Sequence, residues 1–487
     1  MYKFNLSYNW SGVTNIGECA FYKCTGLTSI NIPDSVTTIG DSAFVSCSGL
    51  KSIVIPDSVT KIDNYAFSNC TSLTSVTIGS GVTNIGEQAF SKCTGLTSIN
   101  IPDSVRTIGS YALYNCSSLT EVTIGSGVTS IGNYAFSGCT GALILNCNVP
   151  SHDQPTGGTF YKSTFTSLEI GPRVKNIGDH AFYQSESLTS LTLGSGVTKI
   201  GNSAFDGCKG LTGELVIPDS VTSIGPGAFD GCKGLTEVTI GSGVTHIGSY
   251  AFSYCSGLTS IDIPDSVKTI SNNAFQSCSS LTSITIPDSV TSIGHNAFQG
   301  CTRLTSVVIP DSVAEIGQQA FRACSSLSSI VVSSGNTKYD SRENCNCIIE
   351  TATNTLTQGT NNSFIPDSVT SIGSSAFYGC TRLTSVVIPD SVTSIGSSAF
   401  YNCSGLTEVV IPDSVTSIGN EAFYYCEGIT SITCHATTAP TIGNKTFYWV
   451  KSNGILYYPS GSDYSSWLST SSYYLGYYNW TGQKITV

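Results

Sequence analysis

The chain has 487 residues, of which only 11% are charged, and its formal net charge is −11. A nucleic-acid binder would show a basic face and a protein that docks on anionic lipid would need basic clusters, so both classes are excluded. Hydrophobic residues make up 40% of the chain. They come singly at fixed spacing, never as the ~18 consecutive apolar residues of a membrane span, so no membrane insertion is expected.

The opening stretch, MYKFNLSYNW, lacks a basic segment followed by an apolar one, so no signal peptide is read there. Its aromatic residues Tyr2, Phe4, Tyr8 and Trp10 read as a cap strand, and residues 1–12 are taken as an N-terminal cap. From residue 13 a 23-residue unit recurs, with one clean copy, SVTSIGSSAFYGCTRLTSVVIPD, at Ser368 to Asp390. Its anchor, the Phe of the Ala-Phe pair, falls at Phe21, Phe44, Phe67, Phe90, Leu113, Phe136, Phe160, Phe182, Phe205, Phe229, Phe252, Phe275, Phe298, Phe321, Phe377, Phe400, Phe423 and Phe447. Length alone would suggest about three domains. A period in the twenties overrides that, because units too small to bury their own apolar face must stack into one continuous core.

Within the unit, Leu383-x-x-Val386-x-Ile388 alternates with outward residues, the period of a half-buried strand. Pro389-Asp390-Ser391 ends it in a turn; other copies use Gly-Ser-Gly, as at Gly79-Ser80-Gly81. Val392-x-x-Ile395-Gly396 is a second short extended piece, and Ser398-Ala399-Phe400 is expected to make a turn of helix that plugs the ring into the core.

Two interruptions follow. Residues 141–159 are expected to replace the usual strand and turn in a rewritten coil. Residues 333–364 add 33 residues to one period, and Ile348 to Thr351 with Thr355 to Thr357 reads as a small hairpin. Loops on a rigid scaffold carry specificity, so Tyr339, Asp340, Arg342 and Glu343 are the candidate contact residues, with a purely structural bulge as the alternative. The repeat is taken to end near residue 434. The tail, 435–487, packs in Phe447, Tyr448, Trp449, Tyr457, Tyr458, Tyr464, Trp467, Tyr473, Tyr474, Tyr477, Tyr478 and Trp480. Such rings can cover the open end of a solenoid, or offer a binding patch.

Fifteen of the 20 cysteines sit three residues after the anchor: Cys24, Cys47, Cys70, Cys93, Cys116, Cys139, Cys208, Cys232, Cys255, Cys278, Cys301, Cys324, Cys380, Cys403 and Cys426. Coils stacked about 4.8 Å apart bring them within disulfide range. Two repeats carry Ser163 and Ser185 there instead, and no Cys-x-x-Cys pair exists, which favours a structural column of small residues with a weak donor over a disulfide or metal ladder. Cys345 and Cys347 lie apart from it in the insert, where a bridge is open. Asp residues of the Pro-Asp-Ser turns, such as Asp57 and Asp390, are explained by turn chemistry, with calcium as the alternative. The outward strand positions are plain Ser, Thr, Val and Asn, either a broad weak contact surface or a solvated face. The five His occupy unrelated positions, so no catalytic residue, metal or cofactor is assigned.

The recurring wording IP-x-SV-x-x-IG-x-x-AF-x-x-C-x-x-L resembles the BspA-like (Treponema pallidum type) class of leucine-rich repeats over residues 13–434. The expected fold is therefore a leucine-rich repeat solenoid, mostly β with short turns and 3-10 or helical pieces, about 18 coils of 23 residues, capped at both ends. The resemblance implies a non-enzymatic, extracellular or cell-surface protein acting in adhesion, with host matrix or cell-surface proteins or other microbial surfaces as partners. The alternative is a structural spacer or self-associating subunit of a surface layer, fibre or appendage, which near-identical low-charge coils with aromatic ends would suit.

Overall fold

The computed structural model describes residues 12–151, 153–154 and 159–486. The N-terminal cap expected for residues 1–12 lies outside the described residues except for Gly12. The chain gathers into two compact units, residues 1–255 and 256–487. Each is built from coils of one plan.

In the first unit, the strand Ser52–Ile55 buries Ile53 and Ile55 and exposes Ser52 and Val54. It pairs in parallel with Ser75–Ile78 one repeat later, each residue beside its equivalent. Past the Pro56-Asp57 turn, the two-residue strand Lys61–Ile62 pairs in the same way with Asn84–Ile85. The second unit repeats the plan: Glu408–Ile411 lies beside Ser431–Cys434, and Ser394–Ile395 beside Ser417–Ile418. The register is fixed by the alternation, since a slip of one residue would turn every buried Ile and Val to solvent. Among the described residues helix is confined to short 3-10 turns such as Arg342–Asn344 and Leu475–Tyr478. The fold is a leucine-rich repeat solenoid.

The anchor segment is not the turn of helix that its wording suggests. Ala399, Tyr401 and Cys403 donate their N–H groups three residues back, to Gly396, Ser398 and Phe400 (3.3, 3.0 and 3.2 Å). The alternate N–H groups, from Ser398, Phe400 and Asn402, reach the next coil instead, at the carbonyls of Asn420, Ala422 and Tyr424 (2.8, 2.7 and 2.7 Å). A helix would keep all six for itself. Two left-handed residues, Ser398 (φ 52°) and Asn402 (φ 57°), rotate the peptides outward. The left-handed form costs a non-glycine residue roughly 1–2 kcal/mol, which the inter-coil bonds offset.

The anchor rings stack as a ladder through the core. Phe44 and Phe67 lie 5.1 Å apart at an interplanar angle of 2°, and Phe400 and Phe423 5.2 Å apart at 1°. Residues 141–159 keep the long strand that the sequence suggested they lose. Ala142–Leu145 pairs with both Glu121–Ile124 and Ser167–Ile170, because Ala-Leu-Ile-Leu preserves the in–out alternation. The departure comes afterwards, where Val149 bridges Ile177 and Asn148 Oδ1 accepts the N–H groups of Lys175 and Asn176.

In the tail, the ladder of strands continues through Thr441–Ile442, Ile455–Pro459 and Thr481–Ile485. The last anchor ring, Phe447, is then covered by Trp467, which is fully buried at 5.2 Å and donates its indole N–H to Pro440 O (3.1 Å). Tyr464, also buried, donates to Ala436 O (2.8 Å). The outward N–H of Trp449, left-handed like Lys445 in the same coil, finds the Tyr478 hydroxyl at 3.0 Å.

Candidate functional site

The insert at 333–364 is where the second unit departs most from its own plan. Buried Asn336 starts it: its amide donates to Pro310 O (2.9 Å) and Val313 O (2.8 Å), while its Oδ1 accepts the N–H groups of Lys338 and Tyr339. The chain then runs as Tyr339–Asp340, returns antiparallel as Ile348–Glu350, and turns again into Thr355–Gln358. That last strand pairs in parallel with Ser371–Ile372 and so rejoins the coil. Gly359 lies flat on the Phe377 ring, where a Cβ would collide with it, and donates its N–H to Ala376 O (2.7 Å).

The hairpin does not stack on the Glu315–Ile316 strand as a coil would. The Ile316 N–H is taken by the Tyr339 hydroxyl at 3.0 Å. Ile316 is left partly exposed, whereas Ile293 and Ile372 in the same column are fully buried. The gap is a cleft of about 290 Å³, with Ile316, Phe321 and Tyr339 as its apolar part and Gln318, Glu350, Thr355, Thr357 and Gln358 as its polar part. Burial raises the Tyr339 phenol above its ordinary range, the Ile316 N–H opposes this, and Glu350 and Glu315 add to it.

Of the four candidate residues, Tyr339 alone lines the cleft. Asp340 and Arg342 are turned on each other: Nε donates to Oδ1 at 2.9 Å and Nη2 to Oδ2 at 2.6 Å. Arg342 Nη1 also reaches Asn354 Oδ1 (2.9 Å) and Ser368 Oγ (3.1 Å), so the guanidinium ties the hairpin to the following turn. Glu343 is exposed, with a left-handed backbone. Ile316, Gln318 and Glu350 were not singled out by the sequence. Glu350 is legible as a hairpin residue, but Ile316 bears the same wording as every other coil.

All fifteen cysteines of the column are free thiols; Cys24 is partly exposed and the rest are buried. The thiol donates to the anchor carbonyl one coil back, as from Cys70 to Phe44 O (3.2 Å) and Cys403 to Phe377 O (3.1 Å). Burial pushes the Cys70 and Cys301 thiols up to about 12, away from the thiolate that nucleophiles and metal ligands require. Among the described residues one disulfide forms, joining Cys345 to Cys347, with Cα atoms 5.2 Å apart. Among the described residues no group of three or more His, Cys, Asp or Glu side chains could hold a metal ion. Turn carboxylates instead serve the next coil: Asp57 Oδ1 accepts from Ser80 N (2.6 Å) and Oγ (3.0 Å), and Asp219 Oδ1 from Ser242 N (2.7 Å). Two neighbouring carboxyls are raised, Asp206 by burial and Asp230 with it. Burial, then Asp206 one coil back, raises Asp230 to about 6.

The second unit exposes the apolar side chains of Val308, Val331, Phe364, Val387 and Val410. Val308 stands beside Val331 and Val387 beside Val410, and Val387 is 78% exposed.

The family model described as "BspA type Leucine rich repeat region (6 copies)" matches residues 14–142, 156–278, 245–364 and 355–463. The chain belongs to the BspA-type leucine-rich repeat family. Solved structures that it resembles include a leucine rich cell surface protein from Faecalibacterium prausnitzii A2-165, 31% identical, covering 64% of this chain and 84% of that one, with a TM-score of 0.44. A leucine-rich repeat protein from Bacteroides ovatus is 23% identical over 97% of this chain and 92% of its own, with a TM-score of 0.38. The T. pallidum leucine-rich repeat protein is 31% identical over 40% of this chain and 77% of its own, with a TM-score of 0.29. No curated protein matches the BspA-type chain. Among the described residues no helix is long and apolar enough to cross a membrane.

Proposed function

We propose that this BspA-type chain is a non-enzymatic, surface-exposed or secreted protein that binds in adhesion, with host matrix or cell-surface proteins or other microbial surfaces as partners. The observation that carries the reading is the opening of the coil ladder at Ile316 by the insert, which gives the repeat scaffold an individual recess of its own. Repeat scaffolds bind through such departures from the repeat. The test is capture of matrix proteins, host cells and bacterial cells on the immobilised full chain. A variant carrying Gln318→Trp and Glu350→Gln should capture less. No capture above an unrelated solenoid would refute adhesion.

One observation favours a second reading, a structural subunit that packs against copies of itself. The exposed valines stand side by side in two pairs, Val308 with Val331 and Val387 with Val410, and exposed apolar surface of this kind marks an interaction site. Light scattering over a concentration series should then show assemblies that disappear with Val387→Lys and Val410→Lys. A monomer at every concentration would discard it.

A further inference from the structure

We propose that the cleft at Ile316 is a binding site for a single neutral sugar ring, an inference that rests on the adhesive reading and names the ligand of its recess.

Size comes first. At about 290 Å³ the cleft sits just below the ~300–1,000 Å³ typical of sites for drug-sized ligands. It has room for one ring and not for an extended chain. Its shape is fixed before any ligand arrives, since Asn336 anchors one end of the hairpin and the Arg342 pairings with Asp340, Asn354 and Ser368 the other. Preorganised walls of this kind spare a ligand the entropy of ordering them.

Chemistry narrows the class. The floor is apolar: Ile316, uncovered where Ile293 and Ile372 in its column are sealed, together with Phe321 and the Tyr339 ring. The rim is rich in acceptors. Thr353 Oγ1 donates to Glu350 Oε2 at 2.6 Å, which orients the carboxylate and leaves Oε1 for a ligand. The Gln358 amide nitrogen is engaged by Gly359 O (2.8 Å) and Ala376 O (3.3 Å), which leaves its oxygen as the group to meet a ligand. A pyranose presents a C–H face to such a floor and a ring of hydroxyl donors to such a rim.

Charge excludes the nearest competitors. No Lys or Arg lines the cleft, and Glu350 lies in it with Glu315 next to Ile316. A uronic acid, a sialic acid or a phosphate would bring its negative charge against these carboxylates. A simple amine would satisfy the charge but not the floor.

The test is saturation-transfer NMR on the full chain with the methyl glycosides of glucose, galactose, mannose and N-acetylglucosamine, alongside glucuronate and butylamine. At least one neutral glycoside should bind saturably and glucuronate should not. Gln318→Trp, at an exposed position, fills the cleft and should abolish the signal. Glu350→Gln keeps the shape and should weaken binding about tenfold, the scale of a lost hydrogen bond to a charged group. The inference is overturned if no neutral glycoside binds, if butylamine binds in their place, if glucuronate binds equally well, or if Glu350→Gln leaves affinity unchanged. Capture of cells and matrix, run on the same proteins, separates the two readings. Capture without sugar binding overturns the sugar site and leaves adhesion standing; sugar binding without capture does the reverse.

Discussion

Ser185 donates its hydroxyl to the carbonyl of Phe160 at 2.9 Å, the bond that Cys208 makes through its thiol to Phe182 at 3.2 Å one coil later. The column therefore selects a small side chain with a proton to give. Cys403→Ser should fold with a change in unfolding free energy within about 1 kcal/mol, the scale of one neutral hydrogen bond. Cys403→Val removes the donor and adds bulk in a fully buried layer. It should destabilise by about 1–3 kcal/mol, as overpacking does. Urea unfolding of both variants checks the pair, and equal losses would refute the role of the proton.

Thiol accessibility follows from the same column. Of 18 free cysteines, Cys19 is exposed and Cys24 partly so, and the rest are buried. A thiol-specific chromophore should label these two in the native protein, all 18 in denaturant, and 20 once the Cys345–Cys347 bridge is reduced. Rapid native labelling of the buried set would mean that the coils open readily.

Arg342 should prove a tie rather than a contact. Arg342→Lys cannot reproduce the paired bonds to Asp340 together with those to Asn354 and Ser368. Amide exchange should quicken across Ile348–Glu350 and Thr355–Gln358, while residues before 255 keep their rates. Unchanged exchange in the hairpin would show that the bonds contribute nothing.

Gly359→Ala drives a methyl into the Phe377 ring and should destabilise the second unit by about 1–3 kcal/mol. Differential scanning calorimetry reads this as a lowered transition, and an unaltered melt would be inconsistent with the packing.

Asp230 makes stability depend on pH in a defined direction. Its folded value, about 6, lies above the ordinary carboxyl value of about 4 because burial and Asp206 disfavour the anion. Its contribution is thus fully present below the ordinary value and is lost as pH rises through about 6. The wild-type chain should lose stability between pH 4 and about 6 relative to Asp230→Asn, whose profile should be flatter there. Parallel profiles for the two proteins would count against the assignment.

How much of this was legible depends on where the cause lies. The strands were, because Ile53 and Ile55 alternate with outward residues in the sequence itself. The anchor turns were not. Ser398, Asn402, Glu421 and Tyr425 all adopt the left-handed form, and no common side chain announces it, since the demand comes from the carbonyls of the coil above. Residues 141–159 look foreign, yet Ala142–Leu145 keeps the one feature that pairing requires. The site divides in the same way. Tyr339 could be picked as an insert residue, and Arg342 and Asp340, two apart, looked like surface charges awaiting a ligand when they satisfy each other. Ile316 could not be picked, because its exposure is a property of what fails to stack upon it.

The two tyrosine hydroxyls that meet outward backbone N–H groups, Tyr339 at Ile316 and Tyr478 at Trp449, have a consequence for how such chains lengthen. A coil that hands its donors to its successor is like a monomer in a growing polymer, indifferent to its position. A phenol on a long arm interrupts that series: its oxygen takes the backbone donor without bringing a further backbone strand. Repeats can thus be duplicated or lost in the interior by unequal exchange of coding sequence without new chemistry at any junction. The identity of the protein is held at the few places where that hand-over is interrupted.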